Sequence, residues 1–443
     1  MKPSLPASLA AGLATALVAP AALVAPAEAR PAMAVDVETG AVIHHEEAFR
    51  PWAPASLTKL MTALVAFRAM EEGRATPDTR VVMSERAAAE PASKSYWKVG
   101  TSVSLRDALE MLIVKSANDV AHAIAETLGG SQAGFAAMMN AEARRIGMTG
   151  SNFENPHGLP NAEQITTAHD MAVLARTIRR DFPQWDPIFR LEAVDTGSGG
   201  PQLSYNLVLG RYAGADGMKT GFVCASGFNI VTSATREVGG EDRTVVAVVL
   251  GAPNQEERAE KAVGLMERGF ADALPGETLD TLAPYGDTVT RTDLRPEICT
   301  AEASASRYDG RDVEGRMVLD TDLITARTRP PITARVDPFP PMPAPLDKPA
   351  RLRGPDDPRG ADVTLSGDPA PGTPVPTMRP VEELADGATD DPRPSVDAPA
   401  LPRVDPTTTG SIATSIATTG SIATTGSIAA TDPIAATDPI AAQ

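Results

Sequence analysis

The sequence predicts a layered α/β domain of the α+β type over residues 30–275, in which one antiparallel sheet is flanked by helices and an all-helical lobe is inserted. Three observations predict this fold class. Alternating apolar residues around a turn at 38–40 predict a hairpin over 30–45. Helical periodicity dominates 56–179. Short β-rich runs separated by turn residues begin after residue 203. The sheet is therefore expected to draw strands from both ends of the domain.

The first helix is predicted to begin at Ser56 and to end near Met70. Its apolar residues cover much of the helical surface, which indicates a helix buried on most sides. Residues 76–104 are polar and are expected to be irregular. The other predicted elements are helices over 105–114, 120–128, 132–146, 167–179 (N-capped by Thr166 or Thr167) and 255–274, and strands over 218–224, 228–234 and 244–250.

The first residues have the features of a targeting segment. Lys2 supplies a positive charge, 9–24 is a run of mostly small apolar residues, and Ala27-Glu-Ala29 fits a small-x-small cleavage site. The run is Ala-rich and short for a membrane span. We predict a cleaved signal peptide over 1–29, with an uncleaved anchor as the alternative, and an exported protein of the periplasm or cell envelope. No later stretch is predicted to span a membrane.

The signal for regular structure weakens after residue 275. Residues 276–328 are expected to form a short C-terminal extension with a few short strands. From residue 329 onward the chain carries more than half of its 40 prolines, and the run Thr-Gly-Ser-Ile-Ala recurs from Thr409. Such a segment cannot bury enough apolar surface to offset its ordering entropy. Residues 329–443 are therefore predicted to be a disordered low-complexity tail.

Composition excludes some classes of function. The net charge of -17 and the pI near 4.8 argue against nucleic-acid binding, which needs a basic surface. The histidines show no spacing of the His-Glu-x-x-His kind, so no metal site and no cofactor are expected. The two cysteines, Cys224 and Cys299, are compatible with a disulfide in an exported protein, or with two unrelated buried thiols.

A serine at the start of the first helix has a lysine on the same helical face. Ser56 and Lys59 are three residues apart, so the hydroxyl and the amine can meet and act as nucleophile and base. Two tripeptides follow, Ser116-Ala-Asn118 at an interruption between two helices and Lys219-Thr-Gly221 on a strand. Each motif is weak evidence alone. Their order and their structural settings make the set specific.

With these motifs in this order, the chain resembles the D-alanyl-D-alanine carboxypeptidases among the low-molecular-mass penicillin-binding proteins, serine peptidase family S11. The resemblance covers roughly 32–275, and the β-rich C-terminal domain common in the family is short or missing. It implies a fold like that of β-lactamases and penicillin-binding transpeptidases. It also implies removal of the terminal D-alanine from peptidoglycan pentapeptides, a role in peptidoglycan maturation and cell shape, and covalent inhibition by β-lactams. Besides the motifs, the similar stretches are 55–63, 112–119, 153–159, 167–172 and 214–221.

The resemblance implies a role for each motif residue. Ser56 would attack the carbonyl between two terminal D-alanines, and Lys59 would accept its proton if the amine were neutral. Desolvation and the facing Lys219 would lower the pKa of Lys59. Ser116 would relay a proton to the leaving amine. The other implied roles are substrate binding by Asn118, Lys219, Thr220, Gly221 and Arg258, and an oxyanion hole from the backbone N–H groups of Ser56 and Phe222.

Two residues, Arg258 and His157, have alternative interpretations. Arg258 could be a solvated residue in the first turns of its helix. His157 could suggest a Ser-His-Asp triad, but a loop-ordering role is favoured because Lys59 already supplies a base. Cys224 closely follows the third motif, so a bond to Cys299 is predicted to fasten the following segment beside the active-site strand.

Three other functions compete with the carboxypeptidase. A DD-endopeptidase that cleaves peptidoglycan crosslinks would carry the same motifs. A class A β-lactamase would need a Glu-x-x-Leu-Asn loop, which Glu163-Gln-Ile-Thr-Thr167 does not match. A non-catalytic wall-binding scaffold is less consistent with the complete motif set.

Overall fold

The central sheet and its helices are seen in a computed structural model that describes residues 30–197, 200–271, 273–306 and 321–339. The strands within these ranges are β1 Ala32–Asp36, β2 Val42–Glu46, β3 Arg80–Val82, β4 Ser102–Ser104, β5 Ala193–Asp195, β6 Gln202–Leu203, β7 Ala215–Val223, β8 Gly227–Val238, β9 Glu241–Ala252 and β10 Thr333–Arg335. The helices are α1 Thr58–Glu71, α2 Glu85–Ala89, α3 Leu105–Val114, α4 Asn118–Gly129, α5 Gln132–Arg145, α6 Ala168–Asp181, α7 Asp186–Phe189, α8 Gln255–Ala271, α9 Arg295–Ile298 and α10 Ala301–Ser306.

The main sheet joins both ends of the domain, as predicted. Its strand order is β2-β1-β9-β8-β7, and every neighbouring pair is antiparallel. The N-terminal hairpin is therefore completed by β9, which comes about 200 residues later and is buried from Val245 to Ala252. Because β9 lies at the centre of the sheet, its continuous Val-rich run is explained by burial on both faces.

Helix α1 is the buried helix that its all-round apolar surface predicts. All of its residues except Arg68, Met70 and Glu71 are buried, and it packs against α3, α4, α5 and α6. Phe67 stacks on Trp185 with ring centroids 5.1 Å apart. The helix therefore has a fixed position between the sheet and the helical lobe.

The helical lobe follows the predicted boundaries closely. Ser104, Ser131 and Thr167 cap α3, α5 and α6 through their side-chain oxygens, which accept from backbone N–H groups one turn on. The segment 76–104, predicted to be irregular, instead contains the two-stranded ribbon of β3 and β4 and the short helix α2. These elements are only three to five residues long, too short to produce a clear periodic signal.

The short strands predicted in 276–328 are absent from the part of this segment that the structure describes, which holds α9 and α10. A disulfide joins Cys224, just after β7, to Cys299, just after α9. The extension is thus fastened beside β7, the sheet strand that also carries the third motif.

The prediction of a disordered tail from residue 329 is wrong at its start. Residues 333–335 form β10, which pairs in parallel with β5, and Phe339 bridges to Ser102. The buried Glu192 pairs with Arg327 at 2.7 Å and Arg329 at 2.6 Å. The residues that pair with this segment are distant from it in sequence. Composition alone therefore could not predict that residues 329–339 are ordered. We call residues 321–339 the C-terminal strap.

The predicted signal peptide over 1–29 and the tail from residue 340 lie outside the described residues. Among the described helices, none combines the length and apolar character needed to cross a bilayer.

Candidate active site

A cleft of about 380 Å³ opens where the start of α1, the α3–α4 connection and β7 meet. Ser56 lines it from a 3₁₀ turn that leads into α1. Two glycines allow neighbouring segments to approach this turn. A Cβ at Gly158 would lie 1.8 Å from the carbonyl oxygen of Ala55, and one at Gly221 would lie 3.0 Å from the backbone nitrogen of Ser56. The backbone around Ser56 is thus contacted from both sides by glycines, which have no side chain to collide with it.

Lys59 is fully buried beside the Ser56 hydroxyl. Its Nζ lies 2.9 Å from Ser56 Oγ and donates to Asn118 Oδ1 at 2.7 Å and to the backbone oxygen of His157 at 2.6 Å. Burial and, next, the charge of Lys219 hold the pKa of Lys59 well below its usual value. A neutral amine at this position can accept the proton of the Ser56 hydroxyl.

Ser116 and Lys219 meet on the other side of the cleft. Ser116 has a positive φ of 60° between α3 and α4, and its Oγ accepts from Lys219 Nζ at 2.9 Å. Lys219 also donates to the backbone oxygen of Thr220 at 2.9 Å. Burial, with a contribution from Arg258, lowers the pKa of Lys219 to about 7. The Lys219 amine can therefore gain or lose a proton near neutral pH while it contacts Ser116.

The Asn118 amide contacts protein groups at both of its ends. Its Oδ1 accepts from Lys59, and its Nδ2 donates to the backbone oxygen of Pro91 at 2.9 Å. The sequence suggested that Asn118 would face a substrate amide. In the structure the side chain lines the cleft but links Lys59 to the segment that contains Pro91.

Arg258 lines the cleft and is buried, so its interpretation as a solvated surface residue is wrong. Its Nη2 donates to the backbone oxygen of Tyr205 at 3.0 Å, and its Nε is buried without a hydrogen-bond partner in the part of the chain that the structure describes. Burial lowers its pKa to about 10, so the guanidinium is charged at neutral pH. The structure thus places a buried cation, with a spare donor, in the lining of the cleft to which Thr220 and Phe222 also contribute.

Several cleft residues carried no signal in the sequence. They come from the segment after α2, the connection before β7, and the starts of β8 and α8: Ala92, Ser93, Tyr205, Phe228 and Gln255. None belongs to a motif, and only the folded chain brings them together. His157 also lines the cleft, where its carbonyl binds Lys59 and its Nδ1 accepts from the backbone N–H of Leu159 at 3.2 Å.

The fold and cleft can now be compared with known proteins. A family profile described as D-alanyl-D-alanine carboxypeptidase, peptidase S11, matches residues 18–254, which is more than half of the chain. The chain belongs to this family.

Curated S11 relatives support this membership. The chain is 36% identical over 242 residues to the D-alanyl-D-alanine carboxypeptidase DacD of Escherichia coli, a match covering 53% of this chain and 61% of that protein. It is 31% identical over 284 residues to DacC of Escherichia coli, covering 62% of this chain and 69% of that protein. The match to DacD thus spans about six tenths of that relative's length.

Solved structures show that the S11 chain has the fold of penicillin-binding proteins. Penicillin-binding protein 6B from Escherichia coli superposes with a TM-score of 0.51 at 35% identity, covering 54% of this chain and 77% of that one. The D-alanyl-D-alanine carboxypeptidase DacD from Francisella tularensis gives a TM-score of 0.52 at 29% identity, covering 59% and 74%. The predicted fold class is confirmed.

Proposed function

We propose that this S11 chain is a serine-type carboxypeptidase that removes the terminal D-alanine from peptidoglycan pentapeptides through an acyl-enzyme on Ser56. The observation that carries the proposal is the contact between Ser56 Oγ and the buried Nζ of Lys59 at 2.9 Å. A hydroxyl is a weak nucleophile until a nearby base removes its proton, and the lowered pKa of Lys59 suits that role.

In the acylation step Ser56 Oγ attacks the carbonyl carbon of the penultimate D-alanine while its proton passes to Lys59. The carbonyl oxygen becomes an oxyanion, which the backbone N–H groups of Ser56 and Phe222 would stabilise. The C–N bond then breaks, and the leaving amine takes a proton that Ser116 can deliver from Lys219, which it already contacts. The proton that Lys59 took from Ser56 replaces the one that Lys219 gave up, so the Lys59 amine is neutral again. Water then attacks the ester while Lys59 accepts a proton from the water, and this proton returns to Ser56 Oγ as the bond between Ser56 and the acyl group breaks.

The free carboxylate of the substrate explains the cations of the cleft. Arg258 and Thr220 line the cleft, and Lys219 is buried behind the residues that line it. Cations removed from water interact strongly with a carboxylate, and a guanidinium can bind one through two N–H groups. We expect Arg258 Nε, which has no hydrogen-bond partner among the described residues, to contribute to this binding.

We further propose that 30–275 forms the catalytic domain and that the protein is exported to the cell envelope, where it would act in peptidoglycan maturation and cell shape. A bond between Cys224 and Cys299 is consistent with an oxidising compartment. By the same chemistry, β-lactams would acylate Ser56 and act as covalent inhibitors.

The test offers the full chain a pentapeptide ending in D-Ala-D-Ala and, separately, a crosslinked peptidoglycan dimer. Release of D-alanine from the pentapeptide supports the carboxypeptidase, whereas cleavage of the dimer alone would indicate an endopeptidase. Labelled penicillin should attach to the wild type and not to Ser56→Ala. Ser93→Ala is the matched control and should still be labelled, because Ser93 lines the same cleft but donates to the backbone oxygen of Lys115. Labelling of Ser56→Ala would refute the assignment.

A further inference from the structure

Behind the cleft, three metal-ligating side chains converge in the protein interior. Glu90 follows α2, His122 lies on α4, and His157 lies in the loop whose carbonyl binds Lys59. One carboxylate oxygen and one nitrogen from each histidine lie within 4.8 Å of one another. We propose that Glu90, His122 and His157 form a binding site for a divalent transition metal of the Zn²⁺ class. Their separation in sequence explains why motif spacing gave no sign of it.

The distances between the donor atoms lie on both sides of the spacing in a tetrahedral site. Glu90 Oε1 lies 2.7 Å from His122 Nδ1 and 3.4 Å from His157 Nε2. Zinc bonds to nitrogen and oxygen of about 2.0–2.1 Å place two tetrahedral ligands about 3.3 Å apart. The two histidine nitrogens need to approach by no more than about 1.5 Å if they stand at the 4.8 Å limit. Side-chain rotations can supply changes of this size.

The surroundings of the two histidine rings supply a second observation. His122 is fully buried and His157 is only 4% exposed, and within the described residues neither Nε2 makes a well-formed hydrogen bond: each lies 3.4 Å from a carboxylate oxygen, that of Glu126 for His122 and that of Glu90 for His157. Buried polar atoms are ordinarily paired. A metal bound by His157 Nε2 would satisfy that atom. With His122 bound through Nδ1, its Nε2 would carry a proton facing Glu126 Oε1, which is 3.4 Å away.

The contact of His122 Nε2 with Glu126 resembles the hydrogen bond to an outer carboxylate that commonly orients a metal-bound histidine. Two histidines and one carboxylate also match the donor set of sites in which water occupies a fourth position. His157 lines the cleft, so water could reach the metal from that side. One contact opposes binding, because a proton on His157 Nδ1 would displace the hydrogen bond from the N–H of Leu159.

Metal binding at this site would act on the active site through His157. The carbonyl of His157 accepts from Lys59 Nζ at 2.6 Å, and Lys59 also contacts Ser56. Movement of His157 toward a metal would therefore shift the acceptor that positions the amine. On the basis of the proposed function, we therefore expect Zn²⁺ to slow the acylation of Ser56.

The experiment titrates chelator-treated full-length protein with Co²⁺ and records its visible absorption. The expected result is one equivalent of Co²⁺ with the intense bands of tetrahedral coordination, displaced by Zn²⁺. His122→Gln and Glu90→Gln should each weaken binding by at least about tenfold. His45→Gln is the matched control and should bind like the wild type, because that exposed histidine lies on β2. Thermal unfolding establishes that each variant is folded.

Absence of stoichiometric Co²⁺ binding by the wild type would overturn the site, even if a variant failed to fold. Unchanged binding in folded His122→Gln or Glu90→Gln would overturn it as well. The coupling is measured separately, as the rate of penicillin labelling with and without Zn²⁺. Metal binding with an unchanged labelling rate would refute the coupling and leave the site standing. Because the Co²⁺ spectrum does not depend on turnover, failure of the site and failure of the proposed function are distinguishable.

Discussion

Burial of Lys219 should make the stability of the protein depend on pH. The side chain is buried, and its ammonium contacts Ser116 Oγ and the backbone oxygen of Thr220. Burial and the charge of Arg258 lower its pKa from 10.5 to about 7. The folded state therefore loses this proton at a lower pH than the unfolded chain.

Between pH 7 and 10.5 the unfolded chain holds more protons at Lys219 than the folded protein does. The free energy of unfolding should consequently rise with pH across this window, by up to about 1.4 kcal/mol per pH unit. From pH 7.5 to 9.5 the contribution of Lys219 amounts to about 2–3 kcal/mol. Below pH 7 both states are protonated, and the cost of burying the charge is fully present. Lys219→Met removes this contribution.

The measurement is urea unfolding of the wild type and Lys219→Met at pH 7.5 and 9.5, with the disulfide intact. The wild type should gain about 2–3 kcal/mol relative to the variant between the two pH values. Lys261→Met is the matched control, because that lysine is partly exposed and pairs with Glu46 on the surface. Its stability should follow the wild type. The reasoning is refuted if the difference in unfolding free energy, wild type minus Lys219→Met, stays constant or falls between pH 7.5 and 9.5.

Two other substitutions test the packing around the cleft. Gly158→Ala should lose penicillin labelling and more than about 3 kcal/mol of stability, because the new Cβ would lie 1.8 Å from the Ala55 oxygen. Gly147→Ala has a similar positive φ but nothing within 4 Å, so a loss above about 2 kcal/mol there would contradict this explanation. Cys224→Ser should lower the free energy of unfolding by about 4 kcal/mol, because the bond to Cys299 closes a loop with a sequence separation of 75. Reduced wild type should match this variant, and equal stability of the oxidised wild type and Cys224→Ser would contradict the estimate.

Local sequence patterns were sufficient to predict the main elements and the motif positions. α1 is apolar over most of its surface and the central strands are short apolar runs bounded by turn residues, so their existence and order were predictable. Ser56 and Lys59 are three residues apart across the 3₁₀ turn and the start of α1, so their contact follows from local helical geometry. The meeting of Lys219 with Ser116 depends on the tertiary fold and was expected only from the resemblance.

Other features depend on contacts between segments distant in sequence. The Asn118 amide is oriented by Lys59 and Pro91, neither of which is its neighbour in the chain. The first turns of α8 gave no sign that Arg258 would be buried. Likewise, Glu90 and His122 come together only because α2 packs on α4. A periodicity or motif search evaluates one segment at a time and cannot detect such pairings.

The C-terminal strap also determines how much of the chain must be present for the domain to fold as one cooperative unit. A protein ended at residue 275 would keep every motif residue but would lose Arg327 and Arg329, the two cations that neutralise the buried Glu192. Leaving a buried charge without its partner costs about 3–5 kcal/mol, a large part of the stability of an ordinary domain. The same cut would uncover the edge of β5 that β10 now occupies. A recombinant catalytic fragment should therefore extend through residue 339.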